Sequence, residues 1–251
     1  MDNNRVDIIL PVFNSKKFII KTLKSINNQT YKNWKLIIVD DASTDGSVKI
    51  INNFINNNIN KEKFIFKKNK KNKGQAFSRN IALKNCSSPY VAFIDSDDIW
   101  KKNKLKEQIN FMLNYNYNFT YTDYKTIKNR KIKIIKVANF FNYNTFIKNT
   151  SIATSTMILK KKILNNVFFP NLRLCEDYYF KCKILRLNNA YKCPGFFSFY
   201  RLRNDSLQSY RFKVFKAIWN INKNLNNMNY INNLISILFI ILNSLKKYAF
   251  R

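Results

Sequence analysis

Histidine is absent from this sequence of 251 residues, and glycine, proline, cysteine and acidic residues are scarce. Without histidine, neither a histidine-based catalytic triad nor a histidine-ligated metal site is available. The four cysteines have no CxxC spacing and are too few to cross-link a chain of this size. We therefore expect reduced thiols in a cytoplasmic protein. The chain reaches an apolar segment almost at once, so we expect no signal peptide.

The shortage of acids leaves a strongly basic chain. It has 45 lysines and arginines against 14 acidic residues, a formal net charge of +31. This charge predicts an anionic partner, which is a nucleic acid, a membrane surface or a phosphorylated substrate. A hydrophobic content of 46% is typical of a globular protein, and the length suits one α/β domain.

The densest group of acids directly follows a short apolar run over residues 90–94. It consists of Asp95, Asp97 and Asp98. Such a run is typical of a buried strand, and ligands of open α/β sheets bind outside the carboxyl ends of the strands. One or two carboxylates, with the phosphates of a substrate, typically hold Mg²⁺. The alternative is a polar turn whose acids cap the next helix.

Strands and helices alternate at short intervals up to Trp100. The pattern predicts strands at residues 6–13, 34–39, 64–66 and 90–94, and helices at 16–28, 48–57 and 74–86. This alternation predicts a parallel, Rossmann-like sheet. Because parallel strands share one carboxyl edge, we expect the polar loops at 14–15, 40–41 and 95–98 to converge.

The pattern after Trp100 is looser. It predicts helices at residues 105–113 and 177–187, and strands at 119–124, 131–137, 154–159 and 196–202. In the second helix, Asp177 is in register with Phe180, Ile184 and Leu187, which predicts that all four face inward. We divide the chain into a domain over residues 1–209 and a helical tail over 210–251.

The tail contains one apolar segment, residues 231–245, which asparagines and serines interrupt. It is shorter than the ~20 apolar residues of a spanning helix. Lys246, Lys247 and Arg251 follow it. Two interpretations remain open: a helix that lies on an anionic leaflet, or an ordinary helix packed on the domain.

Five motifs resemble, in type, order and spacing, those of the family 2 glycosyltransferases, over roughly residues 7–209. They are IILPVFNS (8–15), VDDASTDGS (39–47), NKGQAFSRNIAL (72–83), FIDSDDIW (93–100) and CEDYYF (175–180). The resemblance implies an α/β fold of the GT-A type, with a Rossmann-like, mostly parallel sheet flanked by helices. It also implies a nucleoside-diphosphate sugar donor, which we expect to be UDP-linked, and Mn²⁺ or Mg²⁺ as cofactor.

The resemblance also implies roles on the donor side. It makes Asp97 the direct metal ligand, with Asp95 at the ribose or the metal. A carboxylate at Asp41 can accept a hydrogen bond from the imide N–H of uracil, and Arg79 offers a planar fork to phosphate or base. The alternative for Asp40 and Asp41 is helix capping, and the alternative for Arg79 is a solvated helix arginine. The remaining substrate-binding residues that we predict are Pro11, Val12, Phe13, Asn14, Asp40, Gly74, Ser96 and Asp98.

On the acceptor side the resemblance makes Asp177, with Glu176 beside it, the catalytic pair. Asp177 is predicted to be the general base that takes the proton of the acceptor hydroxyl, which gives inversion in one displacement. Capping of its own helix is the alternative. The family often has a histidine where Arg203 stands here. An arginine is not a neutral metal ligand, so Arg201 and Arg203 are predicted only as phosphate contacts.

Three functions compete at this stage. The first is an inverting glycosyltransferase of bacterial surface glycans, which uses a glycan or lipid-linked acceptor at the inner face of the plasma membrane. The second is a basic nucleic-acid-binding module, which the acidic cluster at the sheet edge disfavours, so we expect no nucleic acid. The third is a non-catalytic peripheral membrane protein with a degenerate site, which the intact Asp97 and Asp177 disfavour.

Overall fold

The computed structural model describes residues 4–128, 131–202 and 211–248. Within these residues, ten strands form one sheet. The strands are β1 (Val6–Val12), β2 (Trp34–Asp40), β3 (Phe64–Lys68), β4 (Tyr90–Phe93), β5 (Ile99–Trp100), β6 (Phe119–Lys128), β7 (Lys131–Ile135), β8 (Phe140–Phe141), β9 (Ile158–Lys160) and β10 (Ala190–Arg201). The helices are α1 (Ile19–Asn27), α2 (Ser47–Asn56), α3 (Gln75–Lys84), α4 (Lys104–Asn114), α5 (Tyr143–Phe146), α6 (Glu176–Leu185), α7 (Arg211–Asn224) and α8 (Tyr230–Tyr248).

The sheet is parallel over its first part, where the strand order is β3-β2-β1-β4. Strand β9 then pairs antiparallel with β4 and β6, and β6 pairs in parallel with β10. The α/β fold with a mostly parallel sheet and C-terminal helices is thereby confirmed. The predicted parallel unit, up to β4, alternates with α1, α2 and α3 as the sequence pattern indicated.

Both faces of the sheet are buried at β1, β2 and β4. Alternate residues of β1 point to opposite sides: Ile8 and Leu10 pack with α1, α2 and α4, whereas Ile9 packs with α3 and α6. A strand covered on both faces reads as a continuous apolar run, which is the pattern of β1, β2 and β4. Because helices cover both faces at these strands, a ligand can reach them at the strand ends.

The structure differs from the predicted pattern in several details. Strands β5 and β8 were not predicted, and β10 begins at Ala190 instead of at residue 196. Residues 154–156 form a 3-10 turn before β9, because their side chains bind distant polar groups instead of continuing a strand. Phe180 and Ile184 are buried as predicted, but Leu187 is 89% exposed. Helix α6 ends at Leu185, so Leu187 does not follow the helical register.

The C-terminal helices pack on the same body as the sheet. Ile218 and Ile221 of α7 and Ile240 of α8 belong to the larger core cluster. The predicted domain boundary at residue 209 lies outside the described residues and stays a prediction. In the described part of the chain, no helix combines the length and apolar character needed to cross a bilayer.

Candidate active site

One cavity of about 1530 Å³ opens at the carboxyl ends of β1, β2 and β4. Its wall includes Asp41, Asp97 and Asp177, the acids that the sequence predicted to meet. The first two come from loops after β2 and β4, the parallel strands on either side of β1, which places them on one edge. Asp177 is brought in by α6 from a distant part of the chain.

Asp41 holds the loop that leads into α3. Its carboxylate accepts hydrogen bonds from the backbone N–H groups of Lys73 and Gly74, at 3.0 and 2.7 Å, and from the Asn69 amide at 2.8 Å. Gly74 has a φ of +94°, and a Cβ there would lie 3.3 Å from Nη1 of Arg173. This position therefore favours glycine, and the backbone lies directly at the cavity wall.

Asp40, one of the predicted substrate contacts, lies behind the cavity wall. It is fully buried and does not belong to the residues that line the cavity. Its Oδ2 accepts the backbone N–H of Ser43 at 3.0 Å, and its Oδ1 has no hydrogen-bond partner within the described chain. Asp40 thus holds the loop after β2 through Ser43, and its predicted contact with substrate stays a prediction.

The end of β1 lies on the same side of the cavity. Residues 11–14 all line it, and Phe13 is 47% exposed. Asn14 has a φ of +45°, and its side-chain oxygen accepts the backbone N–H of Thr44 at 2.9 Å. The Asn14 N–H in turn donates to Ser43 Oγ at 2.9 Å. The loops after β1 and β2 are thus tied to each other across the cavity edge.

The carboxylates of the acidic turn after β4 lie partly in the cavity wall and partly in the core. Asp95 and Asp97 line the cavity, as does Ser96, whereas Asp98 is fully buried. Asp98 accepts the Arg201 backbone N–H at 3.0 Å and a short hydrogen bond from Ser155 Oγ. Burial and the charges of Asp97 and Asp95 raise the pKa of Asp98 well above its usual value. Asp98 therefore supports the turn from the core side, and its predicted contact with substrate stays a prediction.

Ser155 connects this turn to the chain before β9. Its hydroxyl accepts the Asp95 backbone N–H at 3.1 Å and donates to Asp98. Its carbonyl accepts hydrogen bonds from the Trp100 indole at 2.9 Å and from the Ser198 hydroxyl at 3.0 Å. One residue thereby fixes the acidic turn and the strand that follows it.

Arg79, on α3, joins the two halves of the cavity. Its Nη2 donates to Asp95 Oδ1 at 2.7 Å and its Nη1 to Glu176 Oε1 at 2.8 Å, and the guanidinium lies 5.1 Å from the centre of the Phe169 ring. Burial alone would lower the pKa of Arg79, but the charges of Asp95, Glu176 and Asp177 raise it. Both terminal nitrogens of the guanidinium thus donate to carboxylates. The predicted contact of Arg79 with the nucleotide stays a prediction.

The two acids that begin α6 have different environments. Glu176 is buried, and burial raises its pKa although Arg79 opposes the shift. Asp177 accepts hydrogen bonds at Oδ2 from Thr154 Oγ1 at 2.9 Å and from Lys181 Nζ at 2.7 Å. Burial would raise the pKa of Asp177, but Lys181 and the hydrogen bonds lower it to about 2. Asp177 is therefore a carboxylate at neutral pH.

Lys181 is buried and is held in turn by the carbonyl of Ile152 at 2.8 Å. It stands four residues after Asp177, the spacing that places two side chains on one helix face. This ion pair was not predicted, although its spacing of four residues is visible in the sequence. The contacts of Thr154 and Ser155 were not predicted either, because their partners are far away in the chain and no local pattern indicates them.

The C-terminal end of β10 completes the cavity wall with Arg201. Its Nε donates to the Asp97 carbonyl at 3.2 Å, and its guanidinium lies 4.9 Å from the Phe18 ring centre. Arg201 therefore positions the acidic turn and faces the cavity as well. Arg203, the other predicted phosphate contact, lies outside the described residues.

The cavity offers few carboxylates to a divalent metal ion. Within the described residues, no group of three or more His, Cys, Asp or Glu side chains is arranged to hold an ion. Asp95 and Asp97 are the acids of the turn that face the cavity, and Asp95 Oδ1 already accepts from Arg79 and Gln75. This arrangement fits an ion that one or two carboxylates share with substrate phosphates, and it does not fit an ion held by protein alone.

Comparison with known families assigns most of the chain to one family. The model of the glycosyl transferase family 2 matches residues 7–201. The chain belongs to this family, and its role is that of a glycosyltransferase.

Among individual relatives, the chain is 38% identical over 224 residues to the Escherichia coli UDP-Glc:α-D-GlcNAc-diphosphoundecaprenol β-1,3-glucosyltransferase WfgD, covering 88% of this chain and 86% of the relative. Among solved structures, Staphylococcus aureus TarS 1-349 in complex with UDP-GlcNAc superposes with a TM-score of 0.70 at 21% identity, over 98% of this chain and 73% of that one. The mannosyltransferase PcManGT of Pyrobaculum calidifontis, in complex with GDP-Man and Mn²⁺, gives 0.71 at 15% identity, over 98% and 76%. These two likenesses concern the fold.

Proposed function

We propose that this protein transfers a hexose from a UDP-linked donor to a hydroxyl group of a sugar carried on a lipid diphosphate, with inversion at the anomeric carbon. The observation that carries the proposal is the Arg79 bridge. It joins Asp95 to Glu176, so the acids after β4 and the acids of α6 face one cavity. The name of the relative WfgD supports the classes of donor and acceptor.

The donor side of the cavity comprises residues 11–14, Asp41, Gly74, Asp95 and Asp97. We assign the uracil base to the edge formed by Asp41 and residues 11–14, because it has both a carboxylate and backbone groups at the wall. The diphosphate is assigned to the side of Asp95 and Asp97. A divalent ion bound there, as the Mn²⁺ complex of PcManGT suggests, would neutralise the charge on the departing nucleoside diphosphate.

The acceptor side comprises Thr154, Glu176, Asp177 and Lys181. Both hydrogen bonds that Asp177 makes within the described chain use Oδ2, so we assign the proton of the acceptor hydroxyl to Oδ1. A carboxylate with a pKa of about 2 is a weak base. Proton transfer is therefore expected late, when bond formation has made the acceptor oxygen acidic. A single displacement of this kind inverts the anomeric carbon.

The place of action that we propose is the cytoplasmic side of the plasma membrane, in the synthesis of a surface polysaccharide. Nucleotide sugars and the lipid-linked acceptor meet there. The competing function as a nucleic-acid-binding module is disfavoured by family membership and by the acids in the cavity wall.

A donor screen tests the proposal without knowledge of the acceptor. We would measure slow hydrolysis of UDP-, dTDP- and GDP-hexoses with Mn²⁺, and we expect turnover of a UDP-hexose. Asp97→Asn should lose both UDP binding and hydrolysis, whereas Asp177→Asn should retain UDP binding. Glu62→Gln, at an exposed acid far from the cavity, is the matched control. Failure to hydrolyse any donor, or binding of oligonucleotides instead of UDP, would overturn the proposal.

A further inference from the structure

Helix α8 has an unusual distribution of side chains. Its outward side is apolar, and the exposed fractions of its large apolar residues range from 37% for Ile235 to 71% for Tyr230. We call these residues the outer stripe: Tyr230, Ile231, Leu234, Ile235, Leu238, Phe239, Leu242 and Leu245. Most of them recur at intervals of three or four residues, which places them along one side of a helix. A helix of a globular protein ordinarily turns such a side toward the core.

The inward side of α8 combines the core residues Ile237 and Ile240 with polar residues that make hydrogen bonds to the domain. Ser236 is fully buried and donates to the Ile147 carbonyl at 2.7 Å, and Asn233 donates to the Trp219 carbonyl at 3.1 Å. Asn243 donates to the Lys148 carbonyl at 3.0 Å. These bonds fix the rotation of the helix about its axis, so the outer stripe is held outward by the structure itself.

The same helix forms part of the cavity wall. Ile240, Asn243, Ser244 and Lys246 line the cavity that also contains Asp177. One side of α8 therefore faces the acceptor side, and another side presents the outer stripe.

The charge of the chain indicates what covers the stripe. The formal net charge is +31, and exposed lysines border the helix: Lys246 is on α8, and Nζ of Lys148 lies 5.7 Å from the Phe239 ring centre. An anionic bilayer surface attracts such lysines and accepts the apolar side chains at its interface. A second copy of the chain would bring an equal positive charge to the same place, which disfavours self-association.

We propose that the outer stripe of α8 rests in the interface of an anionic bilayer and that α8 is the wall shared by the bilayer and the acceptor side of the cavity. This arrangement presents a lipid diphosphate acceptor to Asp177 without removing its lipid from the membrane. The identity of the acceptor rests on the proposed function, whereas the membrane contact stands on the helix alone.

Vesicle sedimentation tests the contact. The full chain is mixed with vesicles of phosphatidylcholine alone or of phosphatidylcholine with phosphatidylglycerol. The test variant is Leu238→Glu/Leu242→Glu, in the outer stripe. The matched control is Ile59→Glu/Leu113→Glu, two exposed apolar residues associated with helices on the opposite face of the sheet. We expect the stripe variant to partition at least about tenfold more weakly onto the anionic vesicles, and the control to behave like the unmodified chain.

Two further measurements keep the outcomes apart. Thermal unfolding and hydrolysis of the UDP-hexose in solution should be unchanged in the stripe variant, since neither substituted residue lines the cavity. Vesicle binding without donor hydrolysis would sink the proposed function and leave the contact standing. Equal vesicle binding by stripe variant and control, or a stripe that mediates dimers detected by sedimentation in solution, would overturn the inference.

Discussion

On the donor side of the cavity, the acids follow strand ends and backbone N–H groups hold Asp41, whereas on the acceptor side buried side chains hold Asp177. Asp41 is fixed by the N–H groups of Lys73 and Gly74. Asp177 is fixed by Thr154 and Lys181, and Lys181 is fixed by a carbonyl before β9. The first kind of site depends on chain direction and turn geometry, and the second depends on which side chains meet after folding. Arg79 belongs to both sides, because it pairs with Asp95 and Glu176.

The largest expected effect comes from breaking the connection between the two sides. Arg79→Met leaves Glu176 and Asp95 without their cation, and Glu176 is buried. We expect the free energy of unfolding to fall by about 3–5 kcal/mol, as for other buried charge pairs that lose one partner. Urea denaturation measures this change.

A double-mutant cycle with Glu176→Gln checks the cause. If the loss arises from the uncompensated carboxylate, neutralising Glu176 should recover part of the stability in the Arg79→Met background. Strict additivity of the two substitutions would contradict the view that Arg79 acts through this pair.

The donor side alone is tested at Gly74. Gly74→Ala must adopt a φ of +94° and a ψ of 163° and place a Cβ 3.3 Å from Arg173. We expect a loss of about 1–3 kcal/mol in stability and weaker UDP binding, since this conformation is nearly restricted to glycine.

Gly46→Ala is the matched control for this substitution. Gly46 has a φ of +91°, but a Cβ there meets no atom closer than 3.8 Å, and the residue does not line the cavity. Its stability should fall less, and UDP binding should remain. If both variants lose UDP binding equally, Gly74 has no special place at the donor side.

The acceptor side alone is tested at Lys181. In Lys181→Met the pKa of Asp177 should rise from about 2 toward or above its usual value, because burial would no longer be opposed by the ammonium. The acid limb of the pH–activity profile should therefore move to higher pH by about one or two units. Lys183→Met, at an exposed neighbour, should leave the profile unchanged.

The same variant has a predictable effect on stability. The pKa of Asp177 is lower in the folded state than its ordinary value of 3.8, so Asp177 contributes stability above pH 4 that is lost as the pH falls toward 2. Lys181→Met should be less stable than the unmodified chain by about 1–2 kcal/mol at pH 7, and the difference should shrink at low pH. A difference that does not depend on pH would contradict the role of the Lys181 charge.

The donor side could be predicted because its residues follow recognisable strands. Asp41, Asp95 and Asp97 each stand directly after an apolar run, and parallel strands bring such positions to one edge. Asp40 and Asp98 carry the same local pattern, and only the packed structure separates them from their neighbours. In each pair of adjacent acids, one lines the cavity and the other is buried in the core. Which of the two faces the cavity depends on the geometry of the turn, which composition does not determine.

The acceptor side and the tail show the limits of sequence patterns. Thr154 and Ser155 read as a strand, yet their side chains bind Asp177 and Asp98. In α8 the apolar residues were expected either on a leaflet or against the domain. The hydrogen bonds of Asn233 and Ser236 decide which side faces the protein, and no periodicity of apolar residues contains that information.

The hydroxyl of Ser155 has a practical consequence for redesign. Attempts to change acceptor preference would naturally exchange the segment around residues 149–156, which borders the cavity beside Asp177. Such a graft would also remove the hydroxyl that anchors Asp95 and Asp98. Chimeras must therefore keep a serine at this position. Without it, an exchange intended to change the acceptor would also weaken binding of the donor.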